Sequence, residues 1–205
     1  MRLTRPLKLG AAALGAAALG VSAASAVVSG PAAPMPPSHA PVAGSERIEP
    51  VAPDPVGGLD WALRVYTSTS GASCAEVGRL RGGEFGQNDA TGAFQPIELD
   101  ERAVCADLTV EPVVVAVNAY PAGVQRPART VLFGRAGPAV SDVLVQRRGA
   151  AIEARPRIGA AGGFLLPLAG TITAPALPVT VTLDGGRTTV YDWKGVRHKV
   201  AEDDS

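Results

Sequence analysis

Short runs of alternating or β-branched residues, separated by Gly and Pro, are the feature that most limits what this chain can fold into. The run "WALRVYT" alternates apolar with other residues, which places Arg64 and Tyr66 on the strand face opposite Trp61. A period of two is typical of a half-buried β-strand. From residue 59 to residue 193, no window of eleven residues has the i, i+3, i+4 apolar spacing of a helix, although "CAEVGRL" is long enough for one helical turn. The pattern predicts an all-β domain.

Further segments of this domain are predicted as strands, and two Gly-rich turns are predicted to join neighbouring strands as hairpins. The turns lie at Gly82–Gly83 and at Asp184–Gly186. The strand segments are "FQPIELD" (94–100), "PVVVAVNAY" (112–120), 129–136, 140–147, 150–155, 163–168, 179–183 and 188–193. About eight to ten short strands are typical of an antiparallel sandwich or barrel. Because the strands are uneven in length, we predict an immunoglobulin-like β-sandwich over residues 59–193.

The first 28 residues have the layout of an export signal. Positive residues precede an uncharged Ala/Leu/Gly run, and Ala24-Ser25-Ala26 has the small-x-small form that signal peptidases cut. The uncharged stretch 9–30 has 22 residues, which is enough to span a bilayer. Two alternatives follow, a cleaved signal peptide or an uncleaved membrane anchor. Both predict a protein that acts outside the cytoplasm and meets the membrane only through this segment.

Residues 29–58 are predicted to be a Pro/Ala-rich disordered linker. Eight of these thirty residues are Pro, which lacks a backbone donor and fixes φ. We therefore expect the segment to stay outside sheets and helices, either as a spacer between membrane and domain or as a leader with no spacing role. Residues 194–205 are predicted to be a charged, flexible tail.

The chain has two cysteines, Cys74 and Cys105, and both lie in the predicted domain. In an exported protein, two such thiols usually form a disulfide. Closing a loop of about 31 residues is worth ~3.7 kcal/mol in a chain-entropy model. The alternative is a reactive thiol, but no CxxC occurs and no histidine lies in the domain to lower a thiol pKa. A structural disulfide is the prediction.

Several kinds of chemistry lack their residues in this sequence. The histidines are His39 and His198, one in the linker and one in the tail, so an imidazole-based triad is not predicted. No Walker loop or GxGxxG occurs, and the Asn88-Asp89 pair before Gly92 is typical of a turn rather than of a calcium site. Lys plus Arg and Asp plus Glu both total 19. We predict no cofactor, no metal and no nucleic-acid partner.

Glu98 and Asp100 are the candidate catalytic residues. On a strand, residues i and i+2 share one face with Cβ atoms ~7 Å apart, a separation within the range that glycosidases use for their acid and base. The competing interpretation is a solvated outer face, since alternation with Ile97 and Leu99 already accounts for both carboxylates.

Arginines and aromatic residues supply the candidate binding groups. Four arginines could form a patch for envelope polyanions: Arg147, Arg148, Arg155 and Arg157. A second basic group comprises Arg126, Arg129 and Arg135. The aromatic candidates for sugar stacking are Trp61, Tyr66, Tyr191 and Trp193. The competing interpretations are ordinary surface charge for the arginines and core packing for the rings.

The pieces "DWALRVYTS", "CAEVGRL" and "GGRTTVYDW" resemble those of uncharacterised, exported, β-rich proteins of high-GC actinobacteria. This resemblance covers the domain and implies export, but no activity is attached to it. The sequence thus predicts a non-enzymatic, exported β-sandwich that serves as a binding or structural module at the cell envelope, with an envelope polymer or another envelope protein as partner. The alternatives are a carboxylate-based hydrolase that uses Glu98 and Asp100, and a polyanion binder that uses the arginine hairpin.

Overall fold

The computed structural model describes residues 39–89, 91–97, 103–123, 127–147, 153–172, 177–191 and 197–198. The predicted signal or anchor segment, the start of the predicted linker and most of the predicted tail lie outside these ranges. In the part of the chain that is described, there is no helix of the length and hydropathy needed to span a bilayer.

Fourteen strands make up the regular structure of the described residues. They are β1 (Arg47–Ala52), β2 (Asp60–Thr67), β3 (Ser73–Arg81), β4 (Glu84–Asn88), β5 (Phe94–Pro96), β6 (Val104–Ala106), β7 (Val113–Tyr120), β8 (Arg129–Ala136), β9 (Val140–Gln146), β10 (Glu153–Ala154), β11 (Gly163–Ala169), β12 (Val179–Leu183), β13 (Thr188–Tyr191) and β14 (Arg197–His198).

The strands form three antiparallel sheets. The first sheet has the order β1-β2-β3-β4-β5, with β6 also paired to β3. The middle sheet has the order β11-β8-β7, and the third sheet has the order β10-β9-β12-β13-β14. This arrangement confirms the predicted all-β class and is consistent with a sandwich of antiparallel sheets.

The middle sheet is buried on both faces. Val131 and Phe133 pack with Trp61 of the first sheet, whereas Leu132 packs with Val143 of the third sheet. Because successive strand residues point to opposite faces, the continuous apolar run of β8 supplies one wall to each of two cores.

The predicted disulfide is confirmed. Cys74 on β3 and Cys105 on β6 are direct partners in the strand pairing, with their Cα atoms 4.1 Å apart. The predicted hairpin between β3 and β4 is also confirmed. Gly82 and Gly83 both have positive φ angles, 60° and 90°, as a two-residue type I′ turn requires.

The prediction that residues 29–58 stay outside the sheets is wrong for β1, which pairs with β2 from Arg47 to Ala52. Pro50 is tolerated because it lies on an edge strand, where the register shifts between Ile48 and Val51. A Pro-rich composition therefore concealed an edge strand.

Two local predictions around β2 and β3 are also wrong. The "CAEVGRL" segment is not a helical turn, since β3 pairs with β2 at eight successive positions. The second face of β2 is not exposed, since Arg64 and Tyr66 are 6% and 0% exposed. The Arg64 guanidinium pairs with Glu76 at 2.6 Å and lies 4.7 Å from the Phe85 ring centroid, which allows this face to be buried.

Strand ends differ slightly from the predicted ones. The described parts of β9, β10 and β13 end at Gln146, Ala154 and Tyr191, before the predicted limits. Residues 150–152 and Trp193 lie outside the described residues.

Candidate functional site: a cleft between the first and middle sheets

A cleft of about 960 Å³ opens where one end of the first sheet meets the end of β7. This volume is at the upper end of the range of about 300–1,000 Å³ that is usual for small-molecule sites. Its wall combines the loop before β2 with polar and aromatic side chains from five strands, β2, β3, β4, β7 and β8. The side chains on which its chemistry depends are Asp54, Trp61, Arg79, Asn88, Tyr120 and Arg129.

Strand register explains how these side chains meet. Trp61 and Arg79 are direct partners in the β2–β3 pairing. Tyr120 and Arg129 are direct partners in the β7–β8 pairing. Each pair lies on the face of its sheet that borders the core between the first and middle sheets. The cleft is therefore the polar end of that core.

Asp54 joins the two sheets through an ion-pair cluster, which we define as Asp54, Arg79 and Arg129. Its Oδ2 accepts hydrogen bonds from Arg79 Nη1 at 2.5 Å and from Arg129 Nε at 2.6 Å. Its Oδ1 accepts a hydrogen bond from the Val56 N–H at 3.0 Å. The Asp54 side chain is 1% exposed, so the carboxylate is buried between its two arginines.

Two opposing effects act on the pKa of Asp54. Burial alone raises this pKa, but the hydrogen bonds from Arg129, the Val56 N–H and Arg79 together outweigh it and lower the pKa below its usual value. Burial also lowers the pKa of Arg79, an effect that Asp54 opposes. The cluster keeps Asp54 ionised at neutral pH and carries one net positive charge.

Trp61 lies between a cation and a second ring. Arg79 Cζ is 3.4 Å from the centroid of the Trp61 ring, a cation–π contact. On the side of the middle sheet, the Trp61 and Tyr120 ring centroids are 4.9 Å apart at an interplanar angle of 51°. Trp61 is 2% exposed and Tyr120 is half-buried, so Tyr120 is the ring that a ligand can reach.

Two buried polar atoms in the cleft wall have no hydrogen-bond partner among the described residues. They are Trp61 Nε1, a donor, and Asn88 Oδ1, an acceptor. Leaving such a group unsatisfied costs about 1–3 kcal/mol. The side-chain hydrogen bonds of Arg79 within the described chain all come from Nη1 and go to Asp54 and the Leu59 carbonyl. Residues of the cleft wall therefore hold donors and an acceptor that have no hydrogen-bond partner within the described chain.

The predicted catalytic residues are not tested by the described structure, because Glu98 and Asp100 lie outside it. The predicted turn at Asp89 is confirmed: its Oδ1 accepts from the backbone N–H of Thr91 and Ala93, and hydrogen bonds led by that of the Thr91 hydroxyl lower its pKa to about 2. No cluster of three or more His, Cys, Asp or Glu that could hold a metal occurs among the described residues.

The predicted arginine patch is only partly described. Arg148 lies outside the described residues, as does Arg126 of the second basic group. Arg155 pairs with Asp142 and with Glu153, which neutralises its charge. Arg147 is half-buried and Arg157 is exposed. From the second group, the structure brings Arg129 into the cleft.

The aromatic candidates have different positions. Trp61 lies in the cleft wall, Tyr66 and Tyr191 are buried in other parts of the fold, and Trp193 lies outside the described residues. The sequence did not identify four residues of the cleft, namely Asp54, Arg79, Asn88 and Tyr120. The one available signal was Arg79, which continues the buried alternation of Ala75 and Val77 and is therefore an arginine on an apolar strand face.

Comparison with family models, with curated proteins and with solved structures found no match to this chain. The chemistry of the cleft is therefore the basis for assigning a function.

Proposed function

We propose that this protein is an exported, non-enzymatic β-sandwich that acts as a binding module at the cell envelope, with the cleft as its ligand site. The observation that carries the proposal is the presence of two unpartnered buried polar atoms, Trp61 Nε1 and Asn88 Oδ1, in the wall of a cleft of about 960 Å³. Both atoms are closed to solvent, so a ligand gains the hydrogen bonds that folding left unmade by a small shift of the cleft wall that uncovers them.

The residues of the cleft favour binding over catalysis. The described residues that line it include one carboxylate, Asp54, and it is buried between two arginines that keep it ionised. General acid–base hydrolysis of a glycoside needs two carboxyl groups, one of which must carry a proton. The hydrolase alternative rests on Glu98 and Asp100 alone, and no contact of the described residues supports it.

Export is part of the same proposal. The charged start, apolar run and small-x-small site of residues 1–28 support it, and the Cys74–Cys105 disulfide agrees with an oxidising compartment. Fractionation of producing cells with non-reducing alkylation tests it. Mature protein in the cytosol with two alkylated thiols overturns it, and the mass of the mature chain separates cleavage from anchoring.

We further propose that β7–β13 form an immunoglobulin-like sandwich. The order β7-β8-β11 opposite β10-β9-β12-β13 matches strands A-B-E opposite C′-C-F-G when β7 is taken as strand A. The first sheet is then an addition that covers the outer face of the A-B-E sheet. Nuclear Overhauser effects between backbone protons that pair the strands in another order would overturn this assignment.

A thermal-shift screen of the full chain against cell-wall fragments, glycans and polyanions tests the binding function. A ligand at about 100 times its Kd stabilises the native state by about 2.7 kcal/mol. Gly123 lines the cleft, and a Cβ added there has nothing within 4 Å, so a substituted side chain starts in open space. We expect Gly123→Trp to remove the shift and Gly123→Ala to retain it. A screen in which no ligand gives a shift sensitive to Gly123→Trp overturns the proposal.

A further inference from the structure

The charge of the cleft selects an anionic group. The ion-pair cluster has two guanidinium groups and one carboxylate, and Asp54 is the one acid among the described lining residues. Arg129 directs its three nitrogens to Asp54 and to the carbonyls of Pro127 and Gly57. Within the described chain, Arg79 donates through Nη1 alone, so its Nε and Nη2 keep N–H donors for an incoming oxyanion.

The unpartnered atoms add a second requirement. Trp61 Nε1 needs an acceptor, whereas Asn88 Oδ1 needs a donor. A carboxylate or a sulfate accepts hydrogen bonds but cannot donate one. A hydroxyl group does both, so a ligand that carries hydroxyl groups as well as its anionic group meets both requirements. A carboxylate or a sulfate alone leaves Asn88 unsatisfied.

The shape of the wall adds a third requirement. Tyr120 presents a half-buried ring beside Trp61, and such rings pack well against the apolar face of a sugar. Glycines form part of the remaining wall, and at Gly57, Gly58 and Gly123 an added Cβ would meet nothing within 4 Å. The absence of side chains at these three positions leaves room beside the cleft for further sugar units.

We infer that the cleft binds an acidic saccharide, with its oxyanion on Arg79, a hydroxyl donating to Asn88 Oδ1 and a ring face on Tyr120. This inference rests on the proposed binding function and specifies its ligand class. The shared chemistry is a sugar that carries an oxyanion, whether that oxyanion is a carboxylate or a sulfate.

Calorimetric titration of the full chain, with its disulfide oxidised, tests the inference. The probes are oligosaccharides that carry glucuronate, galacturonate or N-acetylmuramate, their carboxyl-reduced counterparts, their sulfated counterparts, and inorganic phosphate. We expect at least one acidic oligosaccharide to bind at least tenfold more tightly than its carboxyl-reduced counterpart. The sulfated probes distinguish sulfate from carboxylate as the oxyanion.

Two variants locate the binding. Asn88→Asp places a carboxylate in the wall and removes an amide, and we expect it to weaken binding at least tenfold. Arg157→Gln removes an exposed positive charge outside the cleft and should leave the affinity unchanged. Circular dichroism checks that both variants fold. If Asn88→Asp does not fold, Gly123→Trp serves as an independent variant that blocks the cleft.

Each other outcome overturns the inference. Equal affinities for the acidic and carboxyl-reduced probes would show that the oxyanion does not contribute to binding. If Arg157→Gln weakens binding and the cleft variants do not, the ligand binds a polyanion surface outside the cleft. No binding of any acidic probe also overturns it. If the screen has meanwhile found another ligand whose shift Gly123→Trp removes, the proposed binding function stands and the acidic-sugar assignment alone fails.

Discussion

Asp54 connects parts of the chain that lie far apart in sequence. Its partners Arg79 and Arg129 are 25 and 75 residues away, and all three side chains are at most 10% exposed. Removing one member of a buried ion pair typically costs 3–5 kcal/mol, because the remaining charge loses its compensation. At the scale of single residues, this carboxylate fixes the cleft wall.

We expect Asp54→Asn to lower the free energy of unfolding by about 3 kcal/mol at neutral pH, because Arg79 and Arg129 keep their charges without the carboxylate. Urea denaturation measures the change. Asp60→Asn is the matched control, since Asp60 is exposed and only six residues away. Equal effects of the two substitutions would contradict a special role for Asp54.

The same carboxylate makes stability depend on acid. Because its pKa is lower in the folded protein than its ordinary value of 3.8, the stabilisation is fully present above pH 3.8 and is lost as pH falls through the folded pKa. The stability difference between wild type and Asp54→Asn should therefore shrink on acidification below this point. A difference that stays constant down to pH 2 argues against ion pairing in the native state.

Tyr66 should respond at the opposite end of the pH range. Burial, with a smaller contribution from Glu76, raises its pKa from 10.0 to about 12, and its hydroxyl has no partner among the described residues. The neutral form is thus favoured by folding, so stability is full below pH 10 and falls as pH rises towards 12. We expect Tyr66→Phe to abolish this alkaline loss and to change neutral-pH stability by no more than about 1 kcal/mol. Alkaline denaturation curves that coincide would contradict this expectation.

At the scale of elements, the centre of β8 has no room for a side chain at Gly134. A Cβ there would lie 2.1 Å from the Val114 carbonyl oxygen and 2.6 Å from Phe164 Cζ. We expect Gly134→Ala to destabilise the fold by at least about 2 kcal/mol, since overpacking forces backbone to move. Gly123→Ala, where the added Cβ meets nothing within 4 Å, should be nearly neutral. Thermal unfolding of both variants checks the contrast.

Sequence patterns predicted the elements whose cause is local. The Gly82–Gly83 hairpin and the strand conformation of β2 depend on residues that are adjacent in the chain. By contrast, β1 was hidden by Pro50, which an edge strand tolerates at a register shift. The Arg64 and Tyr66 face was predicted to be solvated because its burial depends on Glu76 and on Phe85, which another strand supplies.

The candidate site was largely unpredictable for the same reason. The prolines around Asp54 are typical of a linker, and nothing near Asp54 in the sequence identifies two arginines as its partners. Arg79 and Trp61 become neighbours only once β2 and β3 take their register. Cys74 and Cys105 could be paired in advance because the chain offers no other cysteine, a constraint that arginines and carboxylates do not share.

At the scale of the whole molecule, the folded unit begins before residue 59. A chain that lacks residues 1–58 loses β1 and Asp54, whereas one that lacks residues 1–38 keeps both. We expect the shorter chain to be less stable by at least about 3 kcal/mol, because it leaves two buried arginines without their carboxylate. The urea denaturation midpoints of the two chains measure this difference. Equal midpoints would mean that residues 39–58 act as a linker and do not stabilise the fold.

The position of the middle sheet determines how cooperatively the protein unfolds, because its strands contribute side chains to both cores. If either outer sheet detached alone, it would expose a face that carries Phe133 or Leu132 to water, so partial opening is costly on both sides. We expect calorimetry to record a single heat-absorption peak whose van't Hoff and calorimetric enthalpies agree. Two resolved peaks would mean that the halves melt independently. The three sheets should thus unfold as one cooperative unit, because both outer sheets pack against the middle sheet.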